Sequence, residues 1–166
     1  MEIPQGVTVN VSNGLAKVTG PKGEISKKYD FKKLKVEVKD NSVSVTCILK
    51  ANRREMAARK SVEAHLKNMF KGVQDGFEKQ LEIVYAHFPV TLEVKEDVVV
   101  IKNFLGEKHP RKARIMPGVK VKASGKSITI TGIDKETVGQ TANNIAKATK
   151  VTNNDIRVFQ DGIYYA

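Results

Sequence analysis

The chain has 166 residues, 40% of them hydrophobic, and 29 lysines and arginines against 18 acids leave a formal charge of +11. That apolar fraction supports a buried core and excludes a disordered polycation, and the length fits one medium domain or two small ones of roughly 80 residues. One cysteine, apolar runs no longer than Val98-Val99-Val100-Ile101 and a start without a signal-peptide core predict a cytoplasmic protein with no disulfide scaffold and no membrane span.

In chain order, Val7-Thr8-Val9-Asn10-Val11 alternates apolar and polar residues and predicts a strand with one buried face. Turns are predicted at Ser12-Asn13-Gly14 and Gly20-Pro21-Lys22-Gly23. Val36-Glu37-Val38-Lys39 and Val43-Ser44-Val45 alternate again around the turn Asp40-Asn41-Ser42. Cys47 falls in phase with Val43, Val45 and Leu49, which points its thiol toward the core. A helix is expected from the N-cap Asn52 to about Lys71, before Gly72. Ala58, Val62, Leu66, Met69, Phe70 and Val73 form its apolar stripe, leaving Arg53, Arg54, Lys60, Lys67 and Lys71 mainly to the remaining surface.

The pattern then recurs. A shift of 83 residues lays Val7–Glu24 over Val90–Glu107 without a gap, with identities at Val7/Val90, Thr8/Thr91, Val11/Val94, Gly23/Gly106 and Glu24/Glu107. The same offset sets Val36 and Val38 over Val119 and Val121; two residues more sets Val43 and Val45 over Ile128 and Ile130. Strands are predicted at Val90–Val94 and Ser127–Thr131, with a turn at Ser124-Gly125-Lys126. A second helix starts after Asp134 and buries Val138, Thr141, Ala142, Ile145 and Ala148. The predicted fold is α+β: two tandem duplicated domains, 1–82 and 83–166, each a small, mostly antiparallel sheet packed on one main helix, with a junction near Glu82.

The positive charge is shared between the halves, +6 and +5, but is locally dense. Lys102, Lys108, Arg111, Lys112, Arg114, Lys120, Lys122 and Lys126 face the single acid Glu107. Lys27, Lys28, Lys32, Lys33, Lys35 and Lys39 face Asp30 and Glu37, and Lys50, Arg53, Arg54, Arg59 and Lys60 face Glu55. Cations placed on phosphates release condensed counterions, which makes nucleic acid the leading partner class. Neither the 27–39 nor the 102–126 segment has the pattern of a basic amphipathic helix, so a membrane surface is not expected.

Motifs for catalysis are missing. Ser124-Gly125-Lys126-Ser127 ends like a phosphate-binding loop, but that spacing needs glycine where Lys120 stands, and the segment lies between two strands. His65, His87 and His109 have no metal-ligand spacing, and structural roles are expected for His65 and His87. Asn10-Val11-Ser12 is a glycosylation pattern with no secretory signal to use it. Six phenylalanines, four tyrosines and no tryptophan leave no strand with a base-stacking display, so phosphate and shape recognition of folded RNA is favoured.

Three strings carry a resemblance to a known family: Val84-Tyr85-Ala86-His87-Phe88-Pro89, Asn103-Phe104-Leu105-Gly106-Glu107-Lys108, and Asp155 through Tyr164. They resemble large-subunit ribosomal protein six, the universal family that eukaryotes number nine. Asn52-Arg53-Arg54-Glu55-Met56-Ala57 and Val138-Gly139-Gln140-Thr141-Ala142 resemble its archaeal branch. The resemblance implies a structural protein without catalysis or cofactor, taking no small-molecule substrate. Its implied partners are large-subunit rRNA beside the sarcin–ricin loop and stalk base, neighbouring ribosomal proteins and nearby translational GTPases. The second domain is implied to be the main rRNA-binding one. Carried over by position, its RNA contacts are Lys102, Asn103, Lys108, His109, Arg111, Lys112 and Arg114 in a long loop, and Arg157, Gln160 and Tyr164 near the end. Asn154 stands where the family often has a basic residue, and Asp161 reads as a turn residue because a carboxylate repels phosphate. Two rivals remain: a free-standing, non-specific RNA chaperone would share the charge, and a phosphodiesterase or nuclease would share the substrate but needs clustered His, Asp and Glu.

Overall fold

The computed structural model describes residues 1–12, 14–29, 34–39, 42–48, 52–152 and 154–166. The chain divides into two compact units, Met1–Gly76 and Phe77–Ala166. Asn13, Asp30, Lys32, Lys33, Asp40, Asn41, Leu49 and Lys50, named above, lie outside the described residues.

In the first unit β1 (Thr8–Ser12), β2 (Leu15–Gly20) and β3 (Gly23–Lys28) form an antiparallel meander. The predicted alternation is clearest in β2, where Ala16 and Val18 are fully buried between exposed neighbours. β4 (Leu34–Lys39) and β5 (Ser42–Cys47) pair separately, and Val43 and Val45 face the core. Helix α1 (Arg53–Gln74) closes this unit. The Asn52 side chain accepts from the Arg53 N–H at 2.9 Å while the Glu55 carboxylate accepts from the Asn52 N–H at 3.1 Å, and Asn52 and Glu55 together form a capping box.

Two details of α1 depart from the sequence reading. Burial begins only at Val62, and Ala58 is exposed. All the buried side chains of this 22-residue helix lie between Val62 and Val73, in its middle and C-terminal turns. Gly72 does not end the helix either. It is buried within it, and the stop is Gly76, whose φ of 74° suits glycine and whose N–H donates to the Gly72 carbonyl at 3.0 Å.

In the second unit β6 (Phe77–Val84), β10 (Val119–Ser124), β11 (Ser127–Gly132) and β12 (Gly162–Tyr165) make an antiparallel sheet ordered β10-β11-β6-β12. β7 (Thr91–Val94), β8 (Val98–Lys102) and β9 (Arg111–Arg114) make a three-stranded one, and α2 (Lys135–Ala148) packs against strands of both. Leu81, Ile101, Phe104, Ile128, Ile130 and Ile145 are among its fully buried side chains. Asp134 caps α2 by accepting from the Glu136 N–H, and Ala148 is half-buried instead of buried. Each unit therefore packs antiparallel strands on one helix, the predicted α+β duplication.

The division falls after Gly76, while the 83-residue repeat suggests a junction near Glu82. The reason is hydrogen bonding: β6 pairs along its length with β11 and again with β12, which places Phe77–Glu82 in the second unit. The ungapped repeat also ends earlier in structure than in sequence. Gly23 opens β3, whereas Gly106 lies in a short 3-10 turn (Phe104–Gly106) ahead of β9.

Candidate nucleic-acid interface

The connection between the second and third strands sets the two units apart. β2 and β3 are joined by Pro21 and Lys22 alone, whereas β8 and β9 are joined by the eight residues Asn103–Pro110. Phe104 anchors this longer loop in the core with 1% of its surface exposed. On either side, Asn103 (φ 59°) and Leu105 (φ 51°) adopt left-handed backbone, which costs a non-glycine residue roughly 1–2 kcal/mol. Gly106 (φ 74°) takes the same conformation without that penalty.

Side chains offset this strain. The Asn103 amide donates to the Pro89 carbonyl at 3.2 Å. The Arg111 guanidinium lies 4.4 Å over the Phe104 ring, donates to the Glu107 carboxylate (Nε–Oε2 2.8 Å), and reaches the Ala148 and Lys150 carbonyls at 3.0 Å each. Those carbonyls belong to the end of α2, where groups lack helical partners and the dipole favours a cation. The hydrogen bond from Arg111 holds the Glu107 carboxyl below the usual glutamate range, and the same pairing raises the Arg111 guanidinium. Both ends of the loop are thus fixed, and Lys108 and His109 are exposed at its tip.

β9 alternates around this anchor. Arg111 and Ala113 face inward, while Lys112 and Arg114 face out. Register places Lys112 opposite Val100 and Arg114 opposite Val98, so Lys102, two residues beyond Val100, shares their face. Glu93, opposite Val100 on β7, is the acid of this face, and its carboxylate pairs with Lys102 and is held below its ordinary range by that pairing. Lys102, Lys112 and Arg114 therefore form one outward row. Arg111, expected from sequence to be in the same set, has its guanidinium engaged inside the unit.

The C-terminal residues form a second group. Arg157 pairs with Asp155 at 2.9 Å, Gln160 donates its amide to the Arg157 carbonyl at 3.2 Å, and the Tyr164 hydroxyl donates to the Gln160 carbonyl at 3.0 Å. Arg157 lowers the Asp155 carboxyl by hydrogen bonding, and all three predicted contact residues are exposed. Asn154 is exposed too, and Asp161 is buried and accepts from the Ala86 N–H at 3.1 Å, a structural role. The Ile163 N–H donates to the Thr149 hydroxyl at 3.0 Å, so this segment and the 103–110 loop are both tied to residues 148–150.

Sequence reasoning missed an aromatic display. Tyr164 and Tyr165 on β12 are each about half exposed, and Lys79 Nζ lies 4.6 Å over the Tyr165 ring. They line a groove of about 390 Å³ with Ile156, Phe159, Lys147 and Lys150. The adjacent tyrosines of a terminal strand were the available signal. The other candidates resolve simply. Gly125 and Lys126 form the two-residue turn of the β10–β11 hairpin, and Cys47 is half-buried with Sγ 4.0 Å from the Glu55 carbonyl. His65 is half-buried beside Tyr29, whereas His87 is exposed beyond the end of β6. Among the described residues no group of His, Cys, Asp or Glu could hold a metal, and no helix is long and apolar enough to cross a membrane.

The family profile Ribosomal protein L6 matches residues 3–76 and again 88–162, one match per repeat. The chain is 48% identical over 165 residues to "Large ribosomal subunit protein uL6" of Methanobrevibacter smithii, covering 99% of this chain and 92% of that one. It is 47% identical over the same length to the proteins of that name from Aeropyrum pernix and Sulfurisphaera tokodaii, covering 90% and 88% of them. With both repeats matched and archaeal relatives aligned over nearly its full length, the chain belongs to the ribosomal protein L6 family, in its archaeal-type branch.

Proposed function

We propose that the protein is a structural constituent of the large ribosomal subunit in the cytoplasm, without catalysis of its own. The second unit binds folded large-subunit rRNA beside the sarcin–ricin loop and stalk base, and supports the site where translational GTPases dock among neighbouring ribosomal proteins. The observation that carries this reading is the clamped 103–110 loop with its outward row of Lys102, Lys112 and Arg114. A backbone held in left-handed conformations by a buried phenylalanine and an internal arginine presents its charges without paying ordering entropy on binding. Lys108, His109 and Arg157 add phosphate contacts, and Asn103, Gln160 and Tyr164 offer hydrogen bonds to phosphate or ribose. Arg111 holds the loop in place from inside.

The test is binding to an rRNA fragment containing the sarcin–ricin stem, against a scrambled RNA of equal size, across a salt series. A preference of about 4 kcal/mol or more with a steep salt slope is expected of a docked component. Equal affinity for both RNAs would leave the alternative, a non-specific RNA chaperone.

A further inference from the structure

α1 carries charge in a pattern that the second unit's RNA contacts do not use. Turning about 100° per residue from Arg53, the buried Val62, Leu66, Met69, Phe70 and Val73 fall between about 160° and 260°. Arg53, Lys60, Lys67 and Lys71 fall within about 40° of a line on the opposite side. All four are exposed, and none has an ion pair among the described residues. Of the acids of the helix, Glu55 sits in the capping box, and Glu63, which flanks the row beside Lys60 and Lys67, pairs with Arg59 at 3.5 Å. Between the cations stand Ala57 and Ala64, both exposed and too small to hold a partner away from the helix. The row is about 27 Å long, in steps of about 10.5, 10.5 and 6 Å.

We propose that this stripe is a second RNA-binding surface, which lies along a phosphate backbone and is independent of the second unit's contacts. The chemistry favours phosphates over a protein partner. Protein interfaces are depleted in lysine and anchored by buried aromatic or arginine hot spots. This face offers three lysines, one arginine and two alanines, and its nearest large apolar neighbour, Met56, lies at its edge. Four cations at intervals along one side of the helix, flanked by a single carboxylate that is already paired with Arg59, complement a chain of evenly repeated phosphates. The proposal goes beyond the function above, which assigns RNA binding to the second unit.

The experiment uses the full chain and a mixed-sequence RNA duplex two helical turns long, titrated across a salt series. The variant K60Q/K67Q/K71Q is compared with K17Q/K28Q/K35Q, which removes equal charge from exposed strand lysines of the same unit. Loss of three phosphate contacts is expected to flatten the slope of log K against log salt by about 2–3, and the strand variant by less than about 1. Equal slopes for the two variants would overturn the proposal, as would an unchanged slope for the helix variant, the result an acidic protein partner predicts. Glutamine keeps helix propensity close to that of lysine, and K60R/K67R/K71R should retain the wild-type slope, which separates lost charge from lost fold. K112Q/R114Q, read on the sarcin–ricin fragment, tests the second unit separately, so the two readings fail independently.

Discussion

The two units share an order of strands and a closing helix, yet they carry their charge in different places. In the first, cations line the outer face of α1 at Arg53, Lys60, Lys67 and Lys71. The corresponding face of α2 carries Glu136, Gln140, Asn143 and Lys147 and is neutral on balance. The second unit instead puts its cations on β8, β9 and an eight-residue loop where the first has a two-residue turn. Inward positions of both repeats answer to the same demand, burial of apolar area, and kept their hydrophobic phase. Outward positions are free of that demand, so the copies diverged there.

Truncations in the two cores separate the units most strongly. Phe104→Ala removes a fully buried ring and the anchor of the strained loop, and a loss of about 3–5 kcal/mol is expected in urea unfolding. Leu66→Ala, the matching insult to the first unit, should cost about 2–5 kcal/mol but leave affinity for the sarcin–ricin fragment nearly intact. Similar RNA affinity for the two variants would mean that the loop's rigidity is irrelevant to binding.

A smaller loss tests Arg111. Arg111→Ala removes two hydrogen bonds to the end of α2 and the Glu107 pair, and about 1–3 kcal/mol is expected. The Glu107 carboxyl should then rise toward the ordinary glutamate range, a change that carbon-13 NMR titration reads directly. The sign of the pH effect follows from the depressed carboxyl. Its stabilisation is present above the unfolded-state value and is lost as pH falls through the folded one. Acidification below the usual glutamate range should therefore loosen the loop in the wild type and change little in the variant. A Glu107 carboxyl unmoved by Arg111→Ala would refute this anchor.

The smallest effect concerns the helix starts, where the units agree. Asn52→Ala and Asp134→Ala each remove a side-chain cap, and each should cost about 1 kcal/mol by thermal melting. A much larger loss for one would show that the duplicated helices are not equally dependent on their caps.

The strand alternation, the Asn52 cap, the start of α2 after Asp134 and most of the buried stripe of α1 were legible because each depends on neighbours within a few residues, and the repeat because the same local pattern recurs 83 residues on. So was the family, through strings that run along the chain. The site was legible only in part. Lys112 and Arg114 point outward as a charged run suggests, but Arg111, one position away, turns inward because its partners are the carbonyls of Ala148 and Lys150, 37 and 39 residues later. The unit boundary moved to Gly76 because β6 bonds forward to β11 and β12. Ala58, in phase with the buried stripe, is exposed because burial along α1 begins only at Val62, and among the described residues the tyrosines of β12 stand on an edge strand paired with β6. Local pattern determines which side of an element is apolar; what stands opposite that side, and which polar groups are already satisfied there, is decided by residues far away in the chain.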